Sequence, residues 1–599
     1  MKILKKNIQM IFRIKSLQLG VFIFCFMQFS VTCYAQKRPN ILVIISDDQG
    51  IGDFGFMGNK TVKSPNLDRL AKESAVFEKL VVAPACSPTR SSIMTGRNHL
   101  LAGVWGVGAR NNLLRDEHLT PEYFKDAGYH TGYFGKRDGV YNHEKQIWDW
   151  GCDEASHVTG YKHKDAVSIK QTGNVQRKGW TVDVDVDNSL DFIKRQGDNS
   201  WWCTTAFILP HLPWISDERF AKPYRDAGHS KTLADFYGCV TQMDDAVGRL
   251  LKGLDDLGQL DNTIVLFLSD NGPTYKDMSD IDIKSRNILD LKGQKSTVWE
   301  NGIVVPFMVR WPKKIVPGIR KQFATVEDIL PTLIDLAALK QTLPDQLPFD
   351  GISLKPALMD ENVASIDRQV LRVAISGKGA AGTYAGFRGI VNNPKEVSIE
   401  EQHLVLRGER YKYHNFADGN TALYDIIRDP TESIDISTQY LEINKLFEME
   451  LEKQYAKILN SERVFRMPIV KIRDVNGQGY NKVYGAMAEK AFGVNEILKF
   501  NNLKGFSAKG DNASYTISVE KAGEYKIQIF GENFSNESDW EIEYNEKIYS
   551  YSILNRNEMI FNMVQFDKPG LQTFSLKVNN NMAGLAMPVV EQLNFIYTK

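Results

Sequence analysis

The sequence predicts an α/β domain followed by an all-β sandwich. Two apolar runs, 40–46 and 263–269, are rich in β-branched residues and end in acidic or amide side chains, as buried strands of an α/β sheet do. Segments with helical spacing alternate with such strands, which implies a mostly parallel sheet covered by helices. After about residue 465 the apolar period falls to two, with turn residues between the runs, and this pattern is typical of a sandwich.

The individual elements follow from the spacing of apolar residues. Helical spacing predicts helices over 66–71, 236–254 and 328–339, and a further buried strand is predicted over 303–311. Alternation predicts sandwich strands over 514–519, 524–529 and 573–578. At 599 residues the chain exceeds one ordinary core, so we expect several units. These are the α/β domain at 36–465, with an α+β subdomain from about 376, and the sandwich at 466–599.

The first 35 residues have the features of an export signal. Basic residues precede an apolar run at 17–29, and Cys33-Tyr34-Ala35 fits a small-x-small cleavage site. The run is shorter than the roughly 20 residues of a membrane span. We therefore expect cleavage after Ala35, no stable membrane span, and a protein that is periplasmic, at the cell surface or secreted. An uncleaved anchor and lipidation of Cys33 are the alternatives.

Charge and cysteine content exclude two classes of protein. Lys+Arg and Asp+Glu are equal at 73 each, so the global basic field of nucleic-acid-binding proteins is missing, and we expect no nucleic-acid partner. After removal of the signal, four cysteines remain in more than 550 residues, which is too few for a disulfide framework. They are Cys86, Cys152, Cys203 and Cys239.

Hard oxygen donors follow the two predicted apolar strands. Asp47 and Asp48 come after the first strand, and Asp270 and Asn271 come after the second. Open α/β sheets place their sites at the carboxyl ends of strands, and such oxygens suit Ca²⁺ or Mg²⁺. Strand-end turns and helix caps use the same residue types. From the residues alone, the metal site and the structural alternative are equally supported.

A longer set of motifs resembles one known family. Cys86-Ser87-Pro88-Thr89-Arg90, followed by Thr95-Gly96, resembles the Cys-x-Pro-x-Arg signature of type I sulfatases, which belong to the alkaline-phosphatase-like superfamily. Further similar motifs extend the resemblance over roughly residues 38 to 460. They include Pro65-Asn66-Leu67-Asp68, Gly135-Lys136, Pro210-His211-Leu212-Pro213, Ser269-Asp270-Asn271-Gly272 and Lys292-Gly293-Gln294-Lys295.

The resemblance implies an alkaline-phosphatase-like mixed sheet sandwiched by helices, and a catalytic residue made after translation. In this family the cysteine, here Cys86, is oxidised to formylglycine by a formylglycine-generating or anaerobic maturation enzyme. One hydroxyl of the hydrated aldehyde attacks sulfur, and the other then expels sulfate. A plain Ser or Cys would lack that second hydroxyl.

The resemblance also implies a role for each matching residue. The implied Ca²⁺ ligands are Asp47, Asp48, Asp270, Asn271 and the modified Cys86. Arg90 would hold the diol, and Lys136 and Lys295 would bind sulfate oxygens. Lys295 or His211 would protonate or stabilise the leaving oxygen.

One departure from the family pattern concerns a catalytic base. The family usually reads Gly-Lys-Trp-His, whereas this chain reads Gly135-Lys136-Arg137-Asp138. The missing histidine is the one expected to take a proton from the diol. Asp138 is our candidate base, because a carboxylate beside Lys136 stays ionised. Substitution by His143 and a weakened site are the alternatives.

These observations lead to a hypothesis and two alternatives. The hypothesis is an exported, bacterial-type polysaccharide sulfatase that hydrolyses a sulfate ester of a glycan or oligosaccharide. The alternatives are a phosphoester or phosphonate hydrolase on the same scaffold, and a catalytically weakened glycan-binding protein. The sandwich faintly resembles carbohydrate-binding modules, with Trp540, Tyr544 and Tyr549 as candidate stacking residues, although a structural brace is equally open. By charge alone, the candidate specificity residues are Arg388, His403 and Arg407.

Overall fold

The computed structural model describes most of the chain after the predicted signal. The described residues are 38–108, 113–139, 146–158, 160–339, 343–375, 399–466, 469–473, 481–493, 496–498, 502–580 and 586–598. The predicted signal peptide, His143 and Arg388 lie outside these residues. Residues 40–599 form one compact unit. Within the described residues, no helix is both long and apolar enough to cross a membrane.

A large mixed sheet forms the centre of the N-terminal part. Its strands in the described residues are β1 (Asn40–Ser46), β2 (Ala75–Val81), β3 (His130–Gly135), β4 (Glu154–Val158), β5 (Val167–Lys170), β6 (Gly173–Gln176), β7 (Trp201–Ala206), β8 (Thr263–Ser269), β9 (Val304–Arg310), β10 (Gly318–Arg320) and β11 (Ala324–Thr325). Their order is β10-β2-β9-β8-β1-β7-β3-β4-β5-β6, with β11 beside β2. The strands from β8 to β4 are parallel, whereas β9, β5 and β6 run antiparallel to their neighbours. The sheet is therefore mixed, with a parallel centre.

Helices cover both faces of this sheet. They are α1 (Pro65–Lys72), α2 (Cys86–Thr95), α3 (Thr120–Asp126), α4 (Thr181–Gln196), α5 (Glu218–Asp226), α6 (Lys231–Asp256), α7 (Asp280–Arg286), α8 (Glu300–Ile303), α9 (Ile329–Leu336) and α10 (Lys355–Met359). Along β1, Ile41 and Val43 pack in the core with α2 and α9, whereas Leu42 and Ile44 pack with α1, α4 and α6. Each such buried side chain contributes about 1.5–3 kcal/mol. The continuous apolar run is explained because both faces of the strand are covered.

The predicted helices and strands are present, with shifted ends. The helices predicted at 66–71 and 328–339 correspond to α1 and α9, and the strand predicted at 303–311 is β9. The helix predicted at 236–254 begins five residues earlier, at Lys231. The Ser230 hydroxyl accepts a hydrogen bond from the Leu233 amide at 3.1 Å and caps the helix. This cap fixes the start of α6, which apolar spacing does not indicate.

A smaller sheet follows the large one. Its strands β12 (Val370–Val373), β13 (Leu404–Arg407), β14 (Tyr411–Asn415) and β15 (Thr421–Asp425) are antiparallel. The helix α11 (Leu441–Leu459) packs Phe447, Leu451 and Tyr455 against this sheet.

The C-terminal part consists of two further sheets around their own apolar core. Their strands are β16 (Val470–Ile472), β17 (Lys482–Tyr484), β18 (Lys490–Phe492), β19 (Glu496–Leu498), β20 (Asn502–Lys504), β21 (Asn512–Val519), β22 (Gly523–Glu532), β23 (Trp540–Tyr544), β24 (Lys547–Tyr549), β25 (Tyr551–Asn555), β26 (Glu558–Phe566), β27 (Gly570–Val578) and β28 (Val589–Tyr597). One sheet has the order β16-β21-β27-β23-β24 with β18 beside β21, and the other has β19-β20-β28-β22-β26-β25 with β17 beside β28. The predicted α/β fold with an all-β C-terminal part is confirmed, whereas the exact domain boundaries stay a prediction. Trp540 and Tyr544 are buried in this core and are not placed to stack on a sugar.

Candidate active site

The ends of β1 and β8 bring the predicted acidic residues together. Ser46 and Ser269 are register partners in the parallel pair, so the residues that follow them lie side by side. Asp48 donates its backbone N–H to Asp270 Oδ1 at 3.1 Å, and Asn271 Nδ2 donates to Asp48 Oδ1 at 2.9 Å. All of these side chains are buried. Strand register therefore joins two motifs that are more than 220 positions apart in the chain.

Cys86 is the first residue of α2 and lies beside these carboxylates. Three ligand atoms lie within 4.8 Å of one another, one each from Cys86, Asp47 and Asp270. The backbone N–H groups of a helix's first turn are free to donate, so they favour an anion at this end. Thr89 fixes the entry to the helix, because its Oγ1 accepts a hydrogen bond from the Ala83 amide at 2.9 Å. The motif thus places Cys86 where strand ends and a helix start meet.

Arg90 lies one helical turn after Cys86 and is fully buried. Its Nε donates to Asp270 Oδ2 at 2.8 Å, and its Nη1 donates to the Lys136 carbonyl at 3.2 Å. Arg90 therefore joins α2 to the ends of β8 and β3.

The donor set fits a hard divalent cation. Asp47 Oδ1 and Asn271 Oδ1 are buried atoms with no hydrogen-bond partner in the described part of the chain. Burial raises the pKa of Asp47 well above its ordinary value, and the neighbouring Asp270 carboxylate raises it further, against the opposing effect of Lys136. A cation between the carboxylates would remove this repulsion and occupy the unpartnered oxygens. Asp48 and His211 also place ligand atoms within 4.8 Å of Asp47.

Two lysines and a histidine surround the carboxylates. Lys136 follows β3 and places its Nζ 2.5 Å from Asp47 Oδ2. Lys295 places its Nζ 2.7 Å from Asp48 Oδ1, and His211 Nε2 lies 3.6 Å from Asp48 Oδ2. The two lysines form a cationic wall against the acidic cluster, with the His211 ring beside it. Such a wall suits a tetrahedral oxyanion that also contacts a metal.

Asp138 is held close to the first turn of α2. The next residue, Gly139, packs on the backbone of Ser87, and a Cβ on it would come within 2.1 Å of the Ser87 carbonyl oxygen. Its φ of 75° is also in the left-handed region that favours glycine. Asp138 Oδ2 lies 3.5 Å from Lys136 Nζ. Although burial raises its pKa, Lys136 and Arg90 outweigh this effect and lower it below the ordinary value.

Tyr161 is a site residue that the sequence motifs do not indicate. Its hydroxyl donates to Asp138 Oδ2 at 2.9 Å, and its ring stacks on His211 with a centroid distance of 4.1 Å. Lys136 Nζ lies 4.8 Å from the ring centroid. Tyr161 therefore contacts three of the predicted catalytic residues. Its position between β4 and β5 carries no motif, and only the tertiary fold brings it here.

Burial determines the protonation states of the Cys86 thiol and of the His211 imidazole. It raises the pKa of the Cys86 thiol, against opposing effects of Lys136 and Lys295. An unmodified Cys86 would therefore be a protonated, weak nucleophile at neutral pH. Burial lowers the pKa of His211 to about 4, with Asp48 opposing, so its imidazole is neutral at pH 7. Its Nδ1 is 2.6 Å from the Leu212 carbonyl, which accepts the Nδ1 hydrogen.

The structure brings together every residue implied by the resemblance, and with them Asp138, the candidate base at the departure from the family pattern. They are Asp47, Asp48, Cys86, Arg90, Lys136, Asp138, His211, Asp270, Asn271 and Lys295. Two residues selected by charge alone are instead occupied elsewhere. Arg407 is buried in an ion pair with Glu300 at 3.2 Å, and His403 Nε2 is 3.1 Å from His414 Nδ1. Arg407 is therefore part of a buried polar network, and the half-buried His403 contacts the buried His414.

Comparison with known proteins gives the same family for the sequence. Residues 39–339, half of the chain, match the family model described as Sulfatase. An ulvan-active sulfatase of Formosa agariphila is 27% identical over 509 residues, which cover 78% of this chain and 88% of that protein. Human N-acetylgalactosamine-6-sulfatase is 29% identical over 362 residues, covering 54% of this chain and 66% of the human protein.

Solved structures share the fold at lower sequence identity. The structure of Ps i-CgsB in complex with k-i-k-neocarrahexaose has a TM-score of 0.60 at 22% identity, covering 70% of this chain and 92% of that one. BT4656, solved with D-glucosamine-2-N,6-O-disulfate, has a TM-score of 0.56 at 19% identity. The match covers 72% of this chain and 99% of the BT4656 chain.

The fold is the one that these solved structures share, and the ends of its central strands hold a buried cluster of carboxylates, lysines and a cysteine. The chain belongs to the sulfatase family, and it is a sulfuric ester hydrolase. The resemblance read from the Cys86 motif is thereby confirmed.

Proposed function

We propose that this protein is an exported sulfatase that hydrolyses sulfate esters of a glycan, with formylglycine made from Cys86 and with bound Ca²⁺. One observation carries the proposal. The buried Cys86 of a Cys-Ser-Pro-Thr-Arg motif starts a helix and lies against Asp47 and Asp270, with their ligand atoms within 4.8 Å. The raised pKa of its thiol argues against a direct cysteine nucleophile. A residue in this place serves the reaction better after conversion.

The implied groups supply two kinds of chemistry. Formylglycine, when hydrated, supplies a hydroxyl nucleophile and a second hydroxyl that makes the release of sulfate easy. Ca²⁺ would be held by Asp47, Asp48, Asp270 and Asn271, and it would balance the charge of the sulfate oxygens. The unpartnered oxygens of Asp47 and Asn271 support this ligand set.

In the proposed reaction the cationic side chains bind and orient the sulfate. Lys136 and Lys295 lie on the two aspartates that would contact the metal, so a sulfate there would meet both ammonium groups. The start of α2 adds N–H donors to the same place. Arg90 keeps Asp270 and the Lys136 segment in position through its hydrogen bonds.

We assign protonation of the leaving oxygen to Lys295 and not to His211. The Nδ1–H of His211 donates to the Leu212 carbonyl, so neutral His211 has only a lone pair at Nε2. Lys295 is protonated, because Asp48 raises its pKa although burial opposes this. Its Nζ can therefore donate a proton toward the ester oxygen. His211 would orient the substrate, packed in place by the Tyr161 ring.

Asp138 is the proposed base for the release of sulfate. Its lowered pKa keeps it ionised, and the contact between Gly139 and Ser87 holds it near the first turn of α2. Tyr161 donates to Oδ2, which fixes the orientation of the carboxylate. These contacts support a carboxylate as the base, in place of the histidine of the family pattern.

A glycan substrate is supported by the relatives. The ulvan-active sulfatase of Formosa agariphila matches over most of its length, and the human relative is named for N-acetylgalactosamine 6-sulfate. Both names denote sulfated carbohydrates. We infer that this protein acts on a carbohydrate of that class, and that the predicted signal directs its export.

The test combines mass spectrometry with matched substrates. The protein is produced with a maturation enzyme, and the peptide that contains Cys86 is weighed. We expect the mass of formylglycine, and hydrolysis of 4-methylumbelliferyl sulfate in preference to 4-methylumbelliferyl phosphate. The Cys86→Ala variant is the control and should release no sulfate. Full activity of that variant, or a preference for phosphate, would overturn the proposal.

A further inference from the structure

A cavity of about 400 Å³ lies where the α/β part meets the C-terminal sheets. On one side it is lined by Lys136, Asp138 and Tyr161 of the site described above. On the other side it is lined by strands β16 and β17 and the residue after β16. Its volume is within the range of about 300–1,000 Å³ that is usual for small-molecule sites. The cavity is therefore continuous with the proposed sulfate position and is closed by the C-terminal part.

The C-terminal wall of this cavity is basic. Lys471, Arg473 and Lys482 line it, while Asp138 is the acidic lining residue on the opposite side. Lys471 lies 3.4 Å from Glu520, and Arg473 lies 2.5 Å from Asp149. Within the described residues, the half-buried Lys482 side chain has no hydrogen bond or ion pair. Its ammonium group is therefore available to an anion in the cavity.

Hydrogen bonds hold this wall in a defined geometry. The Asn481 side chain accepts a hydrogen bond from the Arg473 amide at 2.7 Å and donates to the Arg473 carbonyl at 2.8 Å. It also donates to the Phe595 carbonyl at 3.3 Å, which ties both segments to β28. These hydrogen bonds connect Arg473 to the segment that carries Lys482. A preorganised wall loses little entropy when a ligand binds.

His157 supplies an uncharged polar group to the same cavity. It is 2% exposed, and neither ring nitrogen has a hydrogen-bond partner among the described residues. Burial lowers its pKa well below the ordinary value, and the nearby Arg137 lowers it further. The imidazole is therefore neutral, with one donor and one acceptor. A buried polar group of this kind is stabilised by a hydroxyl-rich ligand.

We propose that this cavity binds the part of the glycan next to the cleaved ester, and that Lys482 and Arg473 of the C-terminal part bind an oxyanion on that sugar. The inference rests on the proposed function, because Lys136 is shared between the sulfate position and the cavity. The oxyanion is a carboxylate or a second sulfate, for which a guanidinium and an ammonium group are suitable partners. The C-terminal part is then a component of the substrate site.

The test measures binding separately from hydrolysis. Calorimetry determines the dissociation constants of digalacturonate, of a monosulfated disaccharide and of neutral cellobiose on the full-length protein. We expect at least one anionic disaccharide to bind, and Lys482→Ala to weaken it by about tenfold or more, the loss of one charge-assisted hydrogen bond. Lys482→Glu should weaken it further. Lys547→Ala removes an exposed lysine of the same sheets and should change nothing.

The two anionic probes distinguish the two sources of the oxyanion. Binding of digalacturonate that weakens in Lys482→Ala indicates a carboxylate. Binding of the sulfated disaccharide that weakens in Lys482→Ala indicates a second sulfate, because a sulfate held only at the Cys86 site would not depend on Lys482. Absence of anion binding, equal binding of cellobiose, or unchanged affinity in Lys482→Ala would overturn the inference. The rate of 4-methylumbelliferyl sulfate hydrolysis reports on the Cys86 site. In Lys482→Ala this rate should stay within twofold of the wild-type rate. Loss of that activity in the wild type would instead contradict the proposed function and leave the binding result valid.

Discussion

The carboxylate of Asp138 gives the proposed reaction a distinctive dependence on pH. Lys136 and Arg90 lower its pKa below the ordinary value in spite of burial. A base with a lowered pKa is ionised and active above that pKa. Its activity is lost when the pH falls through the pKa, because the carboxylate is then protonated. We predict that Asp138→Asn lowers kcat by about 10²–10⁴-fold, the usual contribution of a positioned base, and removes the acid limb of the pH–rate profile.

The control for this substitution is Asp153→Asn. Asp153 is similarly exposed, with 33% of its side chain accessible against 34% for Asp138, and it pairs with Lys125 away from the cluster. This variant should keep the wild-type profile. If Asp138→Asn also keeps it, Asp138 is not the base.

Lys295 should matter more for poor leaving groups than for good ones. A nitrophenolate leaves without a proton, whereas a sugar alkoxide requires one. We predict that Lys295→Met lowers kcat/KM for a sugar sulfate at least tenfold more than for 4-nitrophenyl sulfate. His211→Gln should lower both by the same factor, because neutral His211 has no proton to give at Nε2. Equal losses in Lys295→Met, measured with both substrates, would contradict this assignment.

At the scale of single residues, the sequence predicts those site residues that lie in a short linear motif. Cys86, Arg90 and Lys295 are identified because each lies in a short pattern that resembles a motif of the sulfatase family. Tyr161 lies in no pattern, although it contacts Asp138 and His211. Its role depends on how the chain between β4 and β5 returns to the site, and no local preference of residue types specifies that path.

At the scale of elements, the site depends on how closely one segment crosses the start of α2. Gly139 lies on Ser87 with no room for a Cβ. We predict that Gly139→Ala displaces Asp138 and lowers kcat more than tenfold, in addition to about 1–2 kcal/mol of left-handed strain. Gly128→Ala is the matched control, because Gly128 also has a positive φ, of 82°, but open space around it. Thermal melting and steady-state kinetics of both variants separate strain from displacement.

Two outcomes would contradict this account of the crossing. One is full activity in Gly139→Ala, which would mean that the segment is free to move without consequence. The other is an equal loss of kcat in both variants, which would trace the effect to backbone strain alone.

Elements were more predictable than their ends and partners. The apolar runs of β1 and β8 identified central strands, since only strands covered on both faces are apolar throughout. The antiparallel direction of β9 was not predictable, because a buried strand has the same composition in either direction. The start of α6 was missed for a similar reason, since the cap at Ser230 lies before the apolar period begins.

At the scale of the whole molecule, sequence predicted two kinds of fold in order but not how they share a cavity. The change of period near residue 465 marks the transition from α/β to β structure. Arg473 and Lys482 are ordinary charged residues in the sequence, and the position of Arg473 depends on its contacts with Asp149 and Asn481. Long-range packing of this kind leaves no local signal. Aromatic content was likewise a poor guide, since Trp540 serves the core.

The proposed metal site joins distant parts of the chain, so its occupancy should affect the stability of the whole molecule. Asp47 and Asp270 follow the strands β1 and β8, Cys86 begins α2, and their ligand atoms lie within 4.8 Å of one another. An ion bound to the folded state alone stabilises it by about 2.7 kcal/mol at one hundred times its dissociation constant. We predict that exhaustive chelation lowers Tm and abolishes sulfate release, and that added Ca²⁺ restores both. Asp270→Asn, which keeps the shape but removes a charge, should lower Tm without chelator and weaken the response to Ca²⁺. An unchanged Tm and full activity after chelation would contradict the metal assignment, because the repulsion between buried carboxylates would then be balanced by Lys136, Lys295 and Arg90 alone.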